Sequence, residues 1–433
     1  MKTMKNISKC LAAILLVVNL SSCVDLEPEP LSFFAPENTF MDKEGLEALL
    51  ITSRKQIKWE WFGDAFNAGY CETPLVYEYA WSDVSVMGAP EVKEIHNLET
   101  QLTPTTSMAL HLRYWDLAWN GIKYANTVIS RVPKSTIDNE TDKNELLAEG
   151  YFHRAYWYYL LVNQWGDVPL LLEEITEPKL DFYTVSRMKI LQQMKTDMEF
   201  AVKWLPKNVK PGCVNRAAGE HLLAKIYLST GDFQLAVDAT TRCINDYGLH
   251  LMKERFGVNA EDASLDVFND LFQEDNISSS ENKEAIFVVQ ERYGIEGNVA
   301  PNGSARMRNF VPYWCNGAAV KTPDGKPGTT YDAGPYDGYE WVEKLGRGIA
   351  KIRPTNYSQY AIWGKCGNDL RHNENNWFDI SRLKYNRPAS KGGSATYFGT
   401  PVQRSFVTDT MRCYFSFPTV KTSVSYTHLR AHE

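Results

Sequence analysis

Two kinds of side chain in this sequence could do chemistry on a ligand: aromatic rings on irregular backbone, and the carboxylates scattered among them. Between Gly294 and Gly348 ten glycines and five prolines fall in 55 residues, too many for packed helices. Among them stand Phe310, Tyr313, Trp314, Tyr331, Tyr336, Tyr339 and Trp341. Rings on such backbone either pack the loops together or form a binding platform. A second aperiodic stretch, 63–106, carries Tyr77, Tyr79, Trp81 and Asp83 among Cys71, Pro74, Gly88, Pro90 and Pro104. Catalysis finds less support. Glycoside hydrolysis needs two carboxylates about 5–10 Å apart, and Glu78, Asp83, Glu291 and Asp337 have no spacing that singles out a pair. There is no GxSxG, HExxH or Walker loop, and no Cys/His cluster. A carboxylate in such a loop acts more readily as a hydrogen-bond acceptor. No cofactor is implied, and the reading is of a protein that is not an enzyme.

The elements that must hold these loops are helical. "TFMDKEGLEALLITSRKQIKWEWF" (Thr39 to Phe62) predicts a helix with Asp42 as cap. "ALHLRYWDLAWNGIKYANTVISRVP" predicts a second, with Leu112, Trp115, Trp119, Ile122, Ala125 and Ile129 on one face and Pro133 as its stop. A third runs from Lys143 to Gln164 and ends at "WGDVPL", where Gly166 can adopt a positive φ and Pro169 prevents resumption. A fourth, Ser186 to Leu205, carries Met188, Leu191, Met194, Met198, Ala201 and Trp204. "NRAAGEHLLAKIYLST", Gly231-Asp232 and "FQLAVDATTRCIN" form a helix pair. There Leu223, Ala224, Tyr227, Gly231, Phe233, Ala236 and Ile244 fall at tetratricopeptide spacing, Tyr227 and Phe233 filling the gap between the helices. The ~34-residue period does not repeat cleanly elsewhere, so a regular solenoid is not expected. "EAIFVVQ" (Glu284 to Gln290) predicts a buried strand. Trp115, Trp119, Trp157 and Trp204 are expected in the core.

The N-terminus orders a basic segment with Lys2, Lys5 and Lys9, an apolar run of about eleven residues, small residues, Cys23, and then Asp25, Glu27 and Glu29. The run is half the roughly twenty residues a spanning helix needs, which fits a secretory signal. Leu20-Ser21-Ser22-Cys23 resembles the lipobox of bacterial lipoproteins, which implies cleavage before Cys23 and a lipid on its sulfur. Removing 22 of 433 residues leaves 411, enough for a well-buried core. The net charge of −7 is spread along the chain without a basic stripe, so nucleic acid is not a partner. Cys71, Cys213, Cys243, Cys315, Cys366 and Cys413 show no CxxC pair. Most of them read as small buried apolar residues, with one or two bridges left open.

The order of several segments resembles the SusD/RagB family of surface lipoproteins. They are the lipobox at Cys23; "YWDLAWNGIKYANTVISRVP" with Asn126; and "AEGYFHRAYWYYLLVNQWGDVPLLL" with Arg154, Gly166, Asp167 and Pro169. The tetratricopeptide-like pair, "EAIFVVQ", and "NDLR" with Asp369 and Arg371 follow. The resemblance implies a mainly α fold, a scaffold of tetratricopeptide-like helix pairs with irregular loops and a few short strands on one side. It implies a lipid-anchored outer-membrane protein facing the exterior, which captures oligosaccharide and passes it to a SusC-like TonB-dependent transporter. The alternatives are a peptide-binding member of the same family and a surface glycoside hydrolase. The acidic start "CVDLEPEP" is similar to the segment that sends such lipoproteins outward. Sugar faces stack on flat rings and hydroxyls need directional partners, so the candidate ligand residues are Trp81, Asp83, Tyr313, Trp314, Trp341 and Trp363. Asn126, Arg154, Gly166, Asp167, Pro169, Asp369 and Arg371 are expected to be structural. The reading divides the chain into a signal peptide (1–22), an acidic tether (23–38), a helical part (39–246), a loop-rich ligand-binding part (247–421) and a non-native tail (422–433). "VSYTHLRAHE" resembles translated adapter sequence, so the family's C-terminal helices are expected to be missing. For the same reason the H-x-x-x-H spacing of His428 and His432 is not taken as a metal site.

Overall fold

The computed structural model describes residues 40–62, 80, 82–88, 99, 103, 105, 109–290, 309–331, 345, 348–413 and 416–418. Among these residues six long helices form the scaffold: α1 (Lys43–Phe62), α2 (Ala109–Arg131), α3 (Glu140–Trp165), α4 (Arg187–Trp204), α5 (Arg216–Thr230) and α6 (Phe233–Asn245). They pack in chain order, α1 on α2 and α3, α2 on α3, α3 on α4, α4 on α5 and α5 on α6. No described helix is long and apolar enough to cross a membrane.

The ends of these helices follow from their caps. Asp42 accepts the Gly45 amide at 2.8 Å and starts α1. Asn139 accepts the amides of Thr141 and Asp142 and starts α3 at Glu140, three residues before the predicted start. Gly166 ends α3 at φ 73°. Pro133 does not stop the chain at once; it sits inside a 3₁₀ turn, Val132–Lys134, that extends α2. Pro is tolerated there because the first amides of such a turn need no partner.

The main core lies between the helices and includes Ile122, Phe152, Trp157, Tyr158, Leu161, Leu191, Met194, Met198, Leu223 and Tyr227. Trp157 is fully buried, while Trp115, Trp119 and Trp204 pack half-buried against this core. Leu112 and Met188 are instead exposed, at the starts of α2 and α4. The α5–α6 pair turns at Gly231 with φ 83°. Its contact face is Ala236, Ala239 and Cys243. Tyr227 is buried, but Phe233 does not fill the gap as predicted: it is 66% exposed, and Ile244 67%, since both lie off the small-residue face that packs on α5. The predicted strand 284–290 has no strand partner among the described residues. Ile286, Phe287 and Val289 lie against the helical core instead, and Asn215 donates to the Ile286 carbonyl at 2.9 Å.

Residues 311–413 build a second core from Val311, Trp314, Val320, Phe378, Leu383, Tyr385, Val402, Val407 and Cys413. Among the described residues three short antiparallel ribbons accompany the helices: β1 (Ser85–Met87) with β4 (Ile352–Pro354), β2 (Val168–Pro169) with β3 (Thr184–Val185), and β5 (Trp377–Asp379) with β6 (Ser416–Pro418).

Candidate ligand-binding site

The β1–β4 ribbon joins the two segments in which the sequence places ligand chemistry. Ser85 pairs with Pro354, Val86 with Arg353 and Met87 with Ile352. Thr355 extends the pairing: its amide donates to the Val84 carbonyl at 3.0 Å and its hydroxyl to the Asp83 carbonyl at 2.7 Å. Asp83 thus sits, exposed, on the turn that enters β1, directly against the chain leaving β4. That chain forms one π-helical turn, Tyr357–Ala361, and a 3₁₀ turn, Ile362–Lys365. Tyr357 and Tyr360 are exposed on the first, and Trp363 is half-buried on the second. Ser358 ties the parts together. Its hydroxyl donates to the Val84 carbonyl, and its own carbonyl accepts the Trp363 indole N–H at 3.0 Å.

Trp363 is the centre of a ring cluster. His372 stacks on it at 4.7 Å and 19°, and Trp377 meets it edge-on at 5.0 Å and 66°. The Arg371 guanidinium carbon lies 5.8 Å from the Trp363 ring centre. Asp369 fixes this turn twice, accepting the Arg371 amide at 2.9 Å and forming a fork with its guanidinium, one arm at 2.6 Å. The hydrogen bonds from Arg371 hold the Asp369 carboxyl down at about 2. Behind it, buried Asn376 donates to Asp266 and to the Leu370 carbonyl, each at 2.7 Å, and accepts from Asn269. Rings and polar groups are therefore held on backbone that has little other regular structure.

Burial lowers the His372 pKa below its ordinary 6.5, and the Asp369 charge works the other way. A depressed histidine binds a proton less readily folded than unfolded. Its share of stability is therefore complete above about pH 6.5 and is lost as the pH falls below that value. Urea midpoints measured between pH 8 and pH 5 should fall toward the acid end, and His372→Gln should remove part of that slope. Arg371, the other charged neighbour, keeps its charge throughout this range.

The expected lipid attachment site, Cys23, and two of the other sequence-predicted ligand residues, Trp81 and Trp341, lie outside the described residues. Tyr313 packs half-buried against the second core, its amide donating to the Arg412 carbonyl at 2.8 Å. Trp314 is corrected: at 1% exposure it is a core side chain, and no face of its ring reaches solvent. Tyr357, Tyr360, His372 and Trp377 were not singled out by the sequence reading. For the two tyrosines the signal in the sequence is their closeness to Trp363, three rings within seven residues of irregular chain.

The expected structural residues gather elsewhere, between the helices. Arg154 donates to Asp197 at 2.8 Å, to Asn126 at 3.1 Å and to the Leu172 carbonyl at 2.7 Å. Asn126 donates to the Leu171 carbonyl, and Asp167 accepts the first amide of α4, that of Arg187, at 2.8 Å. Pro169 lies in β2. Among the described residues no group of three or more His, Cys, Asp and Glu side chains could hold a metal.

A family model described as "Starch-binding associating with outer membrane", of the SusD-like group, matches residues 72–228. "SusD-like protein P2" from Formosa agariphila is 27% identical over 238 residues, 54% of this chain and 45% of that relative. The matched region thus spans less than half the length of that curated relative. A SusD superfamily protein from Bacteroides vulgatus superposes with a TM-score of 0.56 at 17% identity, over 88% of this chain and 68% of that one. A "Laminarin binding SusD-like protein" gives 0.54 at 17% identity, over 88% and 77%. The solved structures speak for the fold, and the family model and the curated relative carry the same group's name. The helix stack and short ribbons are the fold those structures share, and residues 72–228, which carry Asn126, Arg154 and Asp167, are similar to the SusD-like family.

Proposed function

We propose that the protein is a cell-surface lipoprotein that captures oligosaccharide and delivers it to a SusC-like TonB-dependent outer-membrane transporter. The chain is a binding protein, not an enzyme. Cys23 is its lipid attachment site, and the helix stack is the body that carries the ligand loops. The observation that supports the reading is the β1–β4 pairing, which brings the Asp83 and Val84 carbonyls onto Thr355 and Ser358, in the same stretch of chain as Tyr357, Tyr360 and Trp363. The rings take the apolar C–H faces of a sugar, and Asp83 accepts from its hydroxyls. Asp369 and Arg371 satisfy one another and act by fixing the turn that stacks His372 on Trp363. Trp81 and Trp341 belong to the same two segments and are proposed to extend the platform. The name of the laminarin-binding relative and the description of the family model favour a glycan as ligand.

Few stacking rings and one or two hydrogen bonds give millimolar to micromolar affinity, about −4 to −8 kcal/mol. Titration calorimetry with a glycan selected on an array should show Trp363→Ala weakening binding about tenfold or more, a loss of about 1.4 kcal/mol. Unchanged affinity in Trp363→Ala combined with Tyr357→Ala, with the circular dichroism spectrum intact, would remove the site assignment.

A further inference from the structure

Between α3 and α4 the chain leaves the helix stack over residues 166–186, and its ascending limb is fixed at nearly every step. The β2–β3 pairing closes the base, Val168 opposite Val185 and Pro169 opposite Thr184. The Tyr158 hydroxyl accepts the Leu171 amide at 2.6 Å, while Asn126 and Arg154 hold the Leu171 and Leu172 carbonyls. Ser130 accepts the Glu174 amide at 2.9 Å, and Arg131 forms a two-armed fork with the Glu174 carboxylate, 2.6 and 2.9 Å. The buried residues singled out as a motif in the sequence thus converge on one short piece of chain.

What that piece presents is apolar and exposed. Leu180 is 97% and Tyr183 78% accessible, and Ile175 and Phe182 are exposed beside them. None of the four belongs to a hydrophobic core. Large apolar side chains on a firmly held base mark an interaction surface, because the cost of ordering the loop is met before the partner arrives. The charge pattern selects the kind of partner. Glu174 is neutralised by Arg131, and Lys179 and Asp181 lie 3.6 Å apart. Glu173 and Glu177 are exposed and have no ion-pair partner among the described residues. An acidic collar is repelled by an anionic lipid surface, whereas it complements a protein groove with an apolar floor and a basic rim.

We infer that residues 175–183 are a docking loop that inserts Leu180 and Tyr183 into an apolar, basic-rimmed groove on a partner protein. This goes beyond ligand capture and rests on the reading above only for its probe, the SusC-like TonB-dependent transporter proposed there. The full-length protein is titrated against that transporter in detergent at low and high salt. Leu180→Ser combined with Tyr183→Ser should weaken binding at least tenfold, with the urea midpoint unchanged because both side chains are exposed. Glu173→Gln combined with Glu177→Gln should weaken it several-fold and flatten the salt dependence. Trp363→Ala should leave it unaltered. Equal affinity of wild type and the Leu180/Tyr183 variant overturns the docking loop while leaving the transporter partnership standing. Absence of wild-type binding removes that partnership and the loop's role in it together. Vesicles of phosphatidylcholine with phosphatidylglycerol should bind neither form; vesicle binding lost in the Leu180/Tyr183 variant would make the loop a membrane contact and overturn the protein groove.

Discussion

Arg154→Leu is expected to lower the free energy of unfolding by about 3–5 kcal/mol, against about 5–15 kcal/mol for an ordinary domain. The guanidinium is 3% exposed, and its ion-pair partner Asp197 is 4% exposed. Removing the cation strands a buried carboxylate whose remaining side-chain donor is Gln193 at 3.0 Å. It also frees the Leu172 carbonyl and the Asn126 amide oxygen. Burying two ions is itself expensive, so replacing both members should cost less than replacing one. Arg154→Leu with Asp197→Leu should therefore recover part of the loss. Urea unfolding of wild type, the two single variants and the pair completes that cycle. Limited proteolysis adds an independent readout: cleavage within 166–187 should rise in Arg154→Leu, because this arginine holds the ascending limb of the excursion between α3 and α4.

Trp157→Ala should cost a similar amount, about 3–5 kcal/mol, through the cavity it opens at the crossing of α2 and α3. Its ring is fully buried and lies against Gly121, where an added Cβ would stand 2.1 Å from the indole nitrogen. That contact explains a glycine in mid-helix, which elsewhere costs about 1 kcal/mol relative to alanine. Gly121→Ala should consequently destabilise the wild type, by about 1–3 kcal/mol of overpacking. In the Trp157→Ala background the obstruction is gone, and the same substitution should become stabilising. Thermal or urea midpoints of the four proteins measure this change of sign. Destabilisation of equal size in both backgrounds would contradict the packing described.

The helix stack was legible in the sequence because its information is local. The Asp42 cap, the Gly166 and Gly231 ends, and the apolar periods of α2 to α5 act within a few turns. The misreadings arose where a residue's fate depends on distant chain. Phe233 has tetratricopeptide spacing, but the small face of α6, set by Ala236, Ala239 and Cys243, decides which side packs. "EAIFVVQ" has strand composition, yet the surface it meets is helical. Trp314 and Trp363 are both tryptophans on irregular backbone. Only the assembly of the second core separates them, burying the first and leaving the second half-exposed beside His372. The platform itself depends on pairing between residues 85–87 and 352–354, a register that no local pattern encodes. In the same way, nothing near Arg154 in the sequence names Asp197 as its partner.

The most direct test of the account is calorimetric titration of the purified full chain with oligosaccharides, followed by chromatography of the recovered ligand. Saturable binding between millimolar and micromolar, with every glycosidic bond intact after prolonged incubation, is the predicted result. Release of shortened products, or no binding to any glycan while a peptide binds, would contradict it.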